Sequence, residues 1–235
     1  MAKKATIKFE DMVDIKGITK NQTEVLKEYK KGKCLFLYGS AGTGKTFITF
    51  HSALKECLDP KSAYNCVYVV RSLISTREIG FLPGDEEDKS ALYQVPYDNM
   101  VRFMFKMPTE DLFNVLYDRL KQQGSLMFLS TSFLRGITLD NAIILVDESQ
   151  NLNFHELDTI MTRVGQDSKI MFCGDFDQTD LTKEREREGL NHFMRIIDNM
   201  KEFYTCEFDI GDIVRSGLVR SYIVHKYNTG LGDKE

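Results

Sequence analysis

The apolar run Cys34-Leu35-Phe36-Leu37-Tyr38 passes directly into Gly39-Ser40-Ala41-Gly42-Thr43-Gly44-Lys45-Thr46, and Phe47-Ile48-Thr49-Phe50 resumes apolar character behind it. A buried strand, a glycine-rich loop and a helix in that order form the P-loop unit that cradles phosphates. The glycines let the backbone take positive φ and approach an anion closely, so that successive N–H groups and the positive end of the helix converge on it. Lys45 adds a mobile cation for the β- and γ-phosphate oxygens, and the Thr46 hydroxyl suits Mg²⁺. Residues Gly39, Ser40, Ala41, Gly42, Thr43, Gly44, Lys45 and Thr46 are therefore candidate nucleotide-binding positions. Lys45 is also a candidate catalytic residue, and Thr46 a candidate metal ligand.

Further strand-like runs stand at Cys66–Val70, Leu126–Ser130, Ala142–Val146, Ile170–Cys173 and Tyr204–Phe208, with helical patterns between most of them. Strands alternating with helices predict an α/β fold on a mainly parallel sheet. The clearest helix follows Pro108: Thr109 caps it, Glu110 and Asp111 suit its dipole, and Gly124 ends it. Its expected packing face is Leu112, Val115, Leu116 and Leu120. The stretch from Ile79 to Lys106 is richer than a plain crossover needs and reads as an insertion or elaborated loop.

Ala142-Ile143-Ile144-Leu145-Val146 is apolar throughout, as a strand buried on both faces should be, and it ends in Asp147-Glu148. That is the place for a carboxylate that holds Mg²⁺ (Asp147) beside one that polarises attacking water (Glu148). The next strand ends in Gly174-Asp175-Phe176-Asp177-Gln178. Ligands in open α/β sheets sit outside the strand carboxyl ends, which places Gln178 to sense the γ-phosphate.

These strings together resemble the PhoH-like family of P-loop ATPases, relatives of superfamily-one helicases. The resemblance extends to Arg71 with Glu78-Ile79-Gly80-Phe81-Leu82-Pro83-Gly84-Asp85, to Leu134-Arg135-Gly136-Ile137-Thr138-Leu139-Asp140-Asn141, to Thr162-Arg163-Val164-Gly165, and to Asp212-Ile213-Val214-Arg215. It covers about residues 18–228, leaving 1–17 as a basic arm and 229–235 as a tail. It implies a three-layer RecA-like fold, ATP and Mg²⁺ as ligands, and a homo-oligomer, most simply a hexameric ring. It also implies RNA or single-stranded DNA as partner. Asn21-Gln22 resembles the family's Q-type motif, in which Gln22 would pair with the adenine edge. A single lobe lacks the arginine that a second lobe supplies to the γ-phosphate, an element worth ~10³–10⁵ in rate. The expectation is that a neighbouring subunit provides it, with Arg215 the first candidate and Arg135 and Arg163 the others. Each of the three also reads as an exposed ion pair. Arg71, at a strand terminus, faces either nucleotide or nucleic acid.

Composition narrows the alternatives. Net charge is −4, which argues against coating nucleic acid by bulk electrostatics. Residues 1–33 hold nine lysines and five acidic residues, so an arm that touches phosphates and a solvated terminus are both open readings. The five cysteines include no CxxC pair, three of them lying in apolar runs, and no apolar stretch is long enough to span a bilayer; both point to a reduced, cytoplasmic setting without membrane attachment. The four histidines have no metal-ligand spacing. Two functional classes remain: an ATPase that remodels or translocates along RNA or single-stranded DNA, and an ATP-dependent assembly switch acting on protein.

Overall fold

The computed structural model describes residues 7–71, 86–175 and 184–229. The Glu78–Asp85 string, Gln178 and residues 230–235 lie outside them. Six parallel strands form one sheet: β1 Cys34–Gly39, β2 Cys66–Arg71, β3 Leu126–Ser130, β4 Ala142–Val146, β5 Lys169–Cys173 and β6 Phe203–Phe208. Their order across the sheet is β3-β2-β4-β5-β1-β6. Register aligns Leu35 with Met171, Ile144 with Ile170, and Val67 with Ile143. The helices are α1 Lys20–Lys30, α2 Lys45–Cys57, α3 Glu86–Met104, α4 Glu110–Gln122, α5 Phe154–Met161, α6 Glu184–Asp198 and α7 Gly217–Asn228.

The period-two pleat divides each strand between two cores. Leu35, Leu37, Val67, Val69, Ile143 and Leu145 pack with residues of α1 to α4. Phe36, Val70, Ile144, Val146, Ile170 and Phe172 face α5 and α6 on the other side. The result is the expected three-layer α/β sandwich. Phe172 anchors the second layer, with ring centroids 5.8 Å from Phe36 and 5.2 Å from Phe193. Truncating such a buried ring to alanine costs about 3–5 kcal/mol.

Two sequence expectations change. On α4, Leu112 and Val115 are each 53% exposed, and the buried face is Phe113, Tyr117 and Leu120 with Leu116 beside them. Thr109 caps that helix by accepting from the Leu112 N–H, as the sequence suggested. The stretch read as an insertion or elaborated loop is, over its described residues, largely α3, which runs 19 residues with Pro96 inside it. The terminal arm, from residue 7 onward, is docked: Ile7 and Met12 are buried, the Val13 N–H donates to the Met104 carbonyl at 2.7 Å, and His51 Nε2 bonds the Val13 carbonyl at 2.7 Å. No helix among the described residues is long and apolar enough to cross a membrane.

Candidate nucleotide site

β5 lies between β1 and β4, so the glycine loop after β1 and the acidic pair after β4 open onto the same carboxyl edge with one strand separating them. Gly39, at φ +108°, leaves β1 where a Cβ would stand 2.1 Å from the Phe208 carbonyl oxygen. Only glycine passes there. That same carbonyl accepts from the Ser40 N–H at 2.8 Å, so β6 pins the loop at its start. Gly44, in the left-handed region, precedes the first turn of α2. Lys45 Nζ lies inside the loop, donating to the Gly39 carbonyl at 2.7 Å, the Ser40 carbonyl at 2.8 Å and Thr43 Oγ1 at 3.2 Å. Burial pushes its ammonium pKa down, against the pull of Cys173, Asp175, Asp147 and Glu148. A cation held among carbonyl dipoles has donors ready to turn toward an anion.

Asp147 closes the other side. Its Oδ1 accepts from Thr46 Oγ1 at 2.7 Å and its Oδ2 from the Tyr97 hydroxyl at 2.6 Å. Burial raises its pKa first, the Glu148 charge second, and the hydrogen bonds from Tyr97 and Thr46 oppose them. A buried carboxylate next to a second carboxylate, with a threonine hydroxyl in contact, demands positive charge. The donor set fits a hard divalent cation such as Mg²⁺, with Thr46 and Asp147 as the residues that would hold it.

Glu148 adopts φ 52° and ψ 41°, a left-handed conformation that costs a non-glycine residue roughly 1 kcal/mol. The turn behind it is tied down in two places. Ser149 Oγ donates to the Cys173 carbonyl at 3.1 Å, and Gln150 Oε1 accepts from the Asp175 N–H at 3.0 Å. Gln150 Nε2 then donates to Glu148 Oε2 at 2.7 Å, while Arg71 Nη2 stands 3.6 Å from Glu148 Oε1. The carboxylate is thus aimed by two neighbours while its side chain stays 45% exposed. Burial pushes the Cys173 thiol up to about 12, which keeps it protonated, and its Sγ lies 3.4 Å from Thr49 Oγ1.

The remaining candidates converge unevenly. Gln22 is buried, its Oε1 accepting from the Ile18 N–H and its Nε2 donating to the Thr43 carbonyl, both at 2.8 Å. One N–H and one acceptor position of the amide remain for other contacts. Asn21 Nδ2 donates to Asp212 Oδ2 at 2.7 Å, and Asp212 is buried, so Asp212 does not form the surface ion pair that the adjacent arginine suggested. Arg215, expected to serve a neighbouring subunit, packs on the P-loop of its own chain: a Cβ on Gly42 would meet its Cγ at 2.7 Å, and the Val214 N–H donates to the Gly42 carbonyl at 3.1 Å. Arg135 and Arg163 do not line the cleft, and Arg71 does. Sequence reasoning gave no role to Tyr97 or Gln150. Gln150 follows the Asp147-Glu148 pair by two residues and had no assigned partner, and Tyr97 sat in the stretch read as an insertion or elaborated loop.

Gln22, Lys45, Thr46, Arg71, Asp147, Glu148, Gln150 and Arg215 line one cleft of about 1240 Å³. The same cleft is also lined by Asp14, Ile15, Lys16, Ile18, Met100, Phe103 and Lys106. Phe103 stands edge-on to Phe47 at 5.6 Å and is 63% exposed.

A parallel sheet whose first strand delivers a glycine loop onto a helix, opposite a buried aspartate bonded to the threonine of that loop, defines a P-loop nucleotide-binding protein of the RecA-like class. Comparison with known proteins narrows the class. Residues 14–228 match the family described as PhoH-like protein, and the chain belongs to that family. It is 30% identical over 211 residues to a PhoH-like protein of Synechocystis, covering 89% of this chain and 61% of that one. It is 35% identical over 147 residues to Protein PhoH2 of Bacillus subtilis, covering 61% of this chain and 32% of that one. The chain thus spans less than two thirds of these relatives. Among solved structures it is similar to the large terminase of a thermophilic bacteriophage in complex with ADP, at 14% identity and TM-score 0.45 over 87% of this chain and 48% of that one. Pif1 helicase of Candida albicans aligns at 18% identity and TM-score 0.37 over 84% and 40%. Both likenesses are too distant to bear on function.

Proposed function

We propose that the chain is a Mg²⁺-dependent ATPase that couples hydrolysis of ATP to ADP and phosphate with remodelling of, or movement along, RNA or single-stranded DNA. The observation that carries the hydrolytic part is the 2.7 Å bond between Thr46 and Asp147, which brings the phosphate loop and the acidic strand end into one site. Lys45 exchanges its loop carbonyls for phosphate oxygens, and Glu148, aimed by Arg71 and Gln150, accepts the proton of attacking water. Thr46 and Asp147 would hold Mg²⁺, which would supply positive charge to the phosphates. Arg215, whose side chain packs beside Gly42, is assigned here to phosphate charge within its own chain, in place of the neighbour's site that the resemblance suggests. Gln178 is assigned γ-phosphate sensing. The free donor and acceptor of Gln22 are assigned to adenine, in addition to its hold on Thr43.

The nucleic-acid partner, a homo-oligomeric ring of six subunits and a cytoplasmic location belong to the same proposal and are supported by the sequence resemblance. A second reading, an ATP-gated switch on protein partners, is favoured by α7, which buries no residue and exposes Leu218, Tyr222 and Tyr227. Turnover of the purified chain, with light scattering to give its mass, separates the readings: stimulation by single-stranded RNA or DNA supports the first. ATPase activity unmoved by either nucleic acid supports the second, and absence of hydrolysis with Mg²⁺ present rejects both.

A further inference from the structure

Tyr97 sits on α3, is fully buried, and packs its ring edge-on against Phe50 at 5.4 Å and Phe128 at 5.3 Å. A phenylalanine would satisfy that packing. The hydroxyl is the atom that packing leaves unexplained, and it donates to Asp147 Oδ2 at 2.6 Å. The other oxygen of the same carboxylate is bonded to Thr46. With one donor on each oxygen, the plane of the Asp147 carboxylate is set by α2 on one side and α3 on the other. Hydrogen bonds of this kind orient a ligand and stabilise it in the charged form a metal needs.

We propose that Tyr97 is a positioning residue for the divalent cation: its hydroxyl holds Asp147 so that Oδ1 faces Thr46 and the phosphate loop. The geometry also makes α3 part of the metal site's support. Loss of the hydroxyl leaves the carboxylate oriented by Thr46 alone, with Oδ2 without the Tyr97 donor. The predicted deficit lies in cation affinity and leaves nucleotide contact intact.

This inference rests on the Mg²⁺-nucleotide reading of the cleft, and the test separates the two. ADP binding is measured by calorimetry without Mg²⁺ and across a Mg²⁺ titration, so no turnover is needed. Tyr97→Phe is expected to keep Mg²⁺-free ADP affinity within about twofold, while the Mg²⁺ needed for half-maximal enhancement rises about 10-fold, the scale of lost outer-sphere support. Thr46→Ala, which removes a direct ligand, serves as reference and shows at least that shift. Phe128→Leu disturbs the packing around the ring but keeps the hydroxyl, and its Mg²⁺ dependence stays at the wild-type value. An unshifted Tyr97→Phe beside a shifted Thr46→Ala overturns the role of Tyr97 and leaves the metal site standing. If neither variant shifts, the metal reading falls and the Tyr97 proposal with it. A Phe128→Leu shift equal to that of Tyr97→Phe assigns the effect to packing and overturns the hydroxyl's part.

Discussion

The guanidinium of Arg71, the last residue of β2, lies 3.6 Å from Glu148 Oε1, one strand away at the end of β4. The pair sits at the rim of the cleft with both side chains partly exposed, so its contribution to stability is small, under about 1 kcal/mol. Its consequence is directional: Arg71 and Gln150 together define where the Glu148 carboxylate points. Arg71→Ala is therefore expected to leave thermal stability near wild type and the KM for ATP unchanged, while kcat falls about 10-fold, within the range that a misdirected base costs. Steady-state kinetics beside a melting curve decides it, and a fall in stability without a fall in kcat would make the pair structural.

Glu148→Gln keeps the length and the bond from Gln150 but cannot accept a proton. ATP binding by calorimetry should stay within a few-fold of wild type, with turnover lower by about 100-fold or more. Lys45→Ala should do the reverse, losing most ATP affinity because the loop surrenders its cation. Hydrolysis by Glu148→Gln at the wild-type rate would remove Glu148 from the chemistry.

Gln22 holds the Thr43 carbonyl, so its loss should disturb the loop as well as any base contact. Gln22→Ala is expected to weaken both ATP and inorganic triphosphate, with a larger loss for ATP. Competition binding with the two ligands measures the split. A deficit confined to ATP would assign the amide to adenine alone, and equal deficits would assign it to the loop alone.

Burial holds the His51 pKa below its ordinary value, with the Val13 carbonyl pulling the other way. A histidine whose folded pKa is depressed favours the folded state while neutral. That stability is complete above the unfolded value near ~6.5 and declines as pH falls through it toward the lower folded value. Urea midpoints should therefore drop between neutral and mildly acidic pH, and His51→Gln, which can still donate to Val13, should flatten that part of the curve. An unchanged slope would show that other groups carry the acid sensitivity.

Because Arg215 rests on the P-loop of its own chain, Arg215→Ala subunits mixed with Glu148→Gln subunits should show no more activity than the sum of the separate variants. Recovery on mixing would show that the arginine serves a neighbour's phosphates instead.

The sheet was legible because parallel strands buried on both faces read as unbroken apolar runs, and Ala142–Val146 and Lys169–Cys173 are buried at every position. The P-loop was legible because its backbone geometry demands glycine at fixed places. The α4 face was misread because two stripes share Leu116 and Leu120. The choice between Leu112 and Val115 on one stripe and Phe113 and Tyr117 on the other is made by tertiary packing, where the larger rings bury more surface. Helix α3 was hidden by Pro96, which ordinarily ends a helix. With α3 unread, Tyr97 had no site to belong to. Gln150 was hidden for a different reason: its partners, Glu148 and the Asp175 N–H, come from the ends of two separate strands, and no spacing within one segment announces such a bridge.

The loop beginning at Gly39 is braced from both directions of the chain, by Gln22 at Thr43 before it, and by Phe208 and Val214 at Ser40 and Gly42 after it. During synthesis the glycine motif emerges from the ribosome well over a hundred residues ahead of the β6 carbonyl that shapes it. A nascent chain carries the motif long before it carries all of the bracing, so the loop is held on both sides only once β6 has joined the sheet.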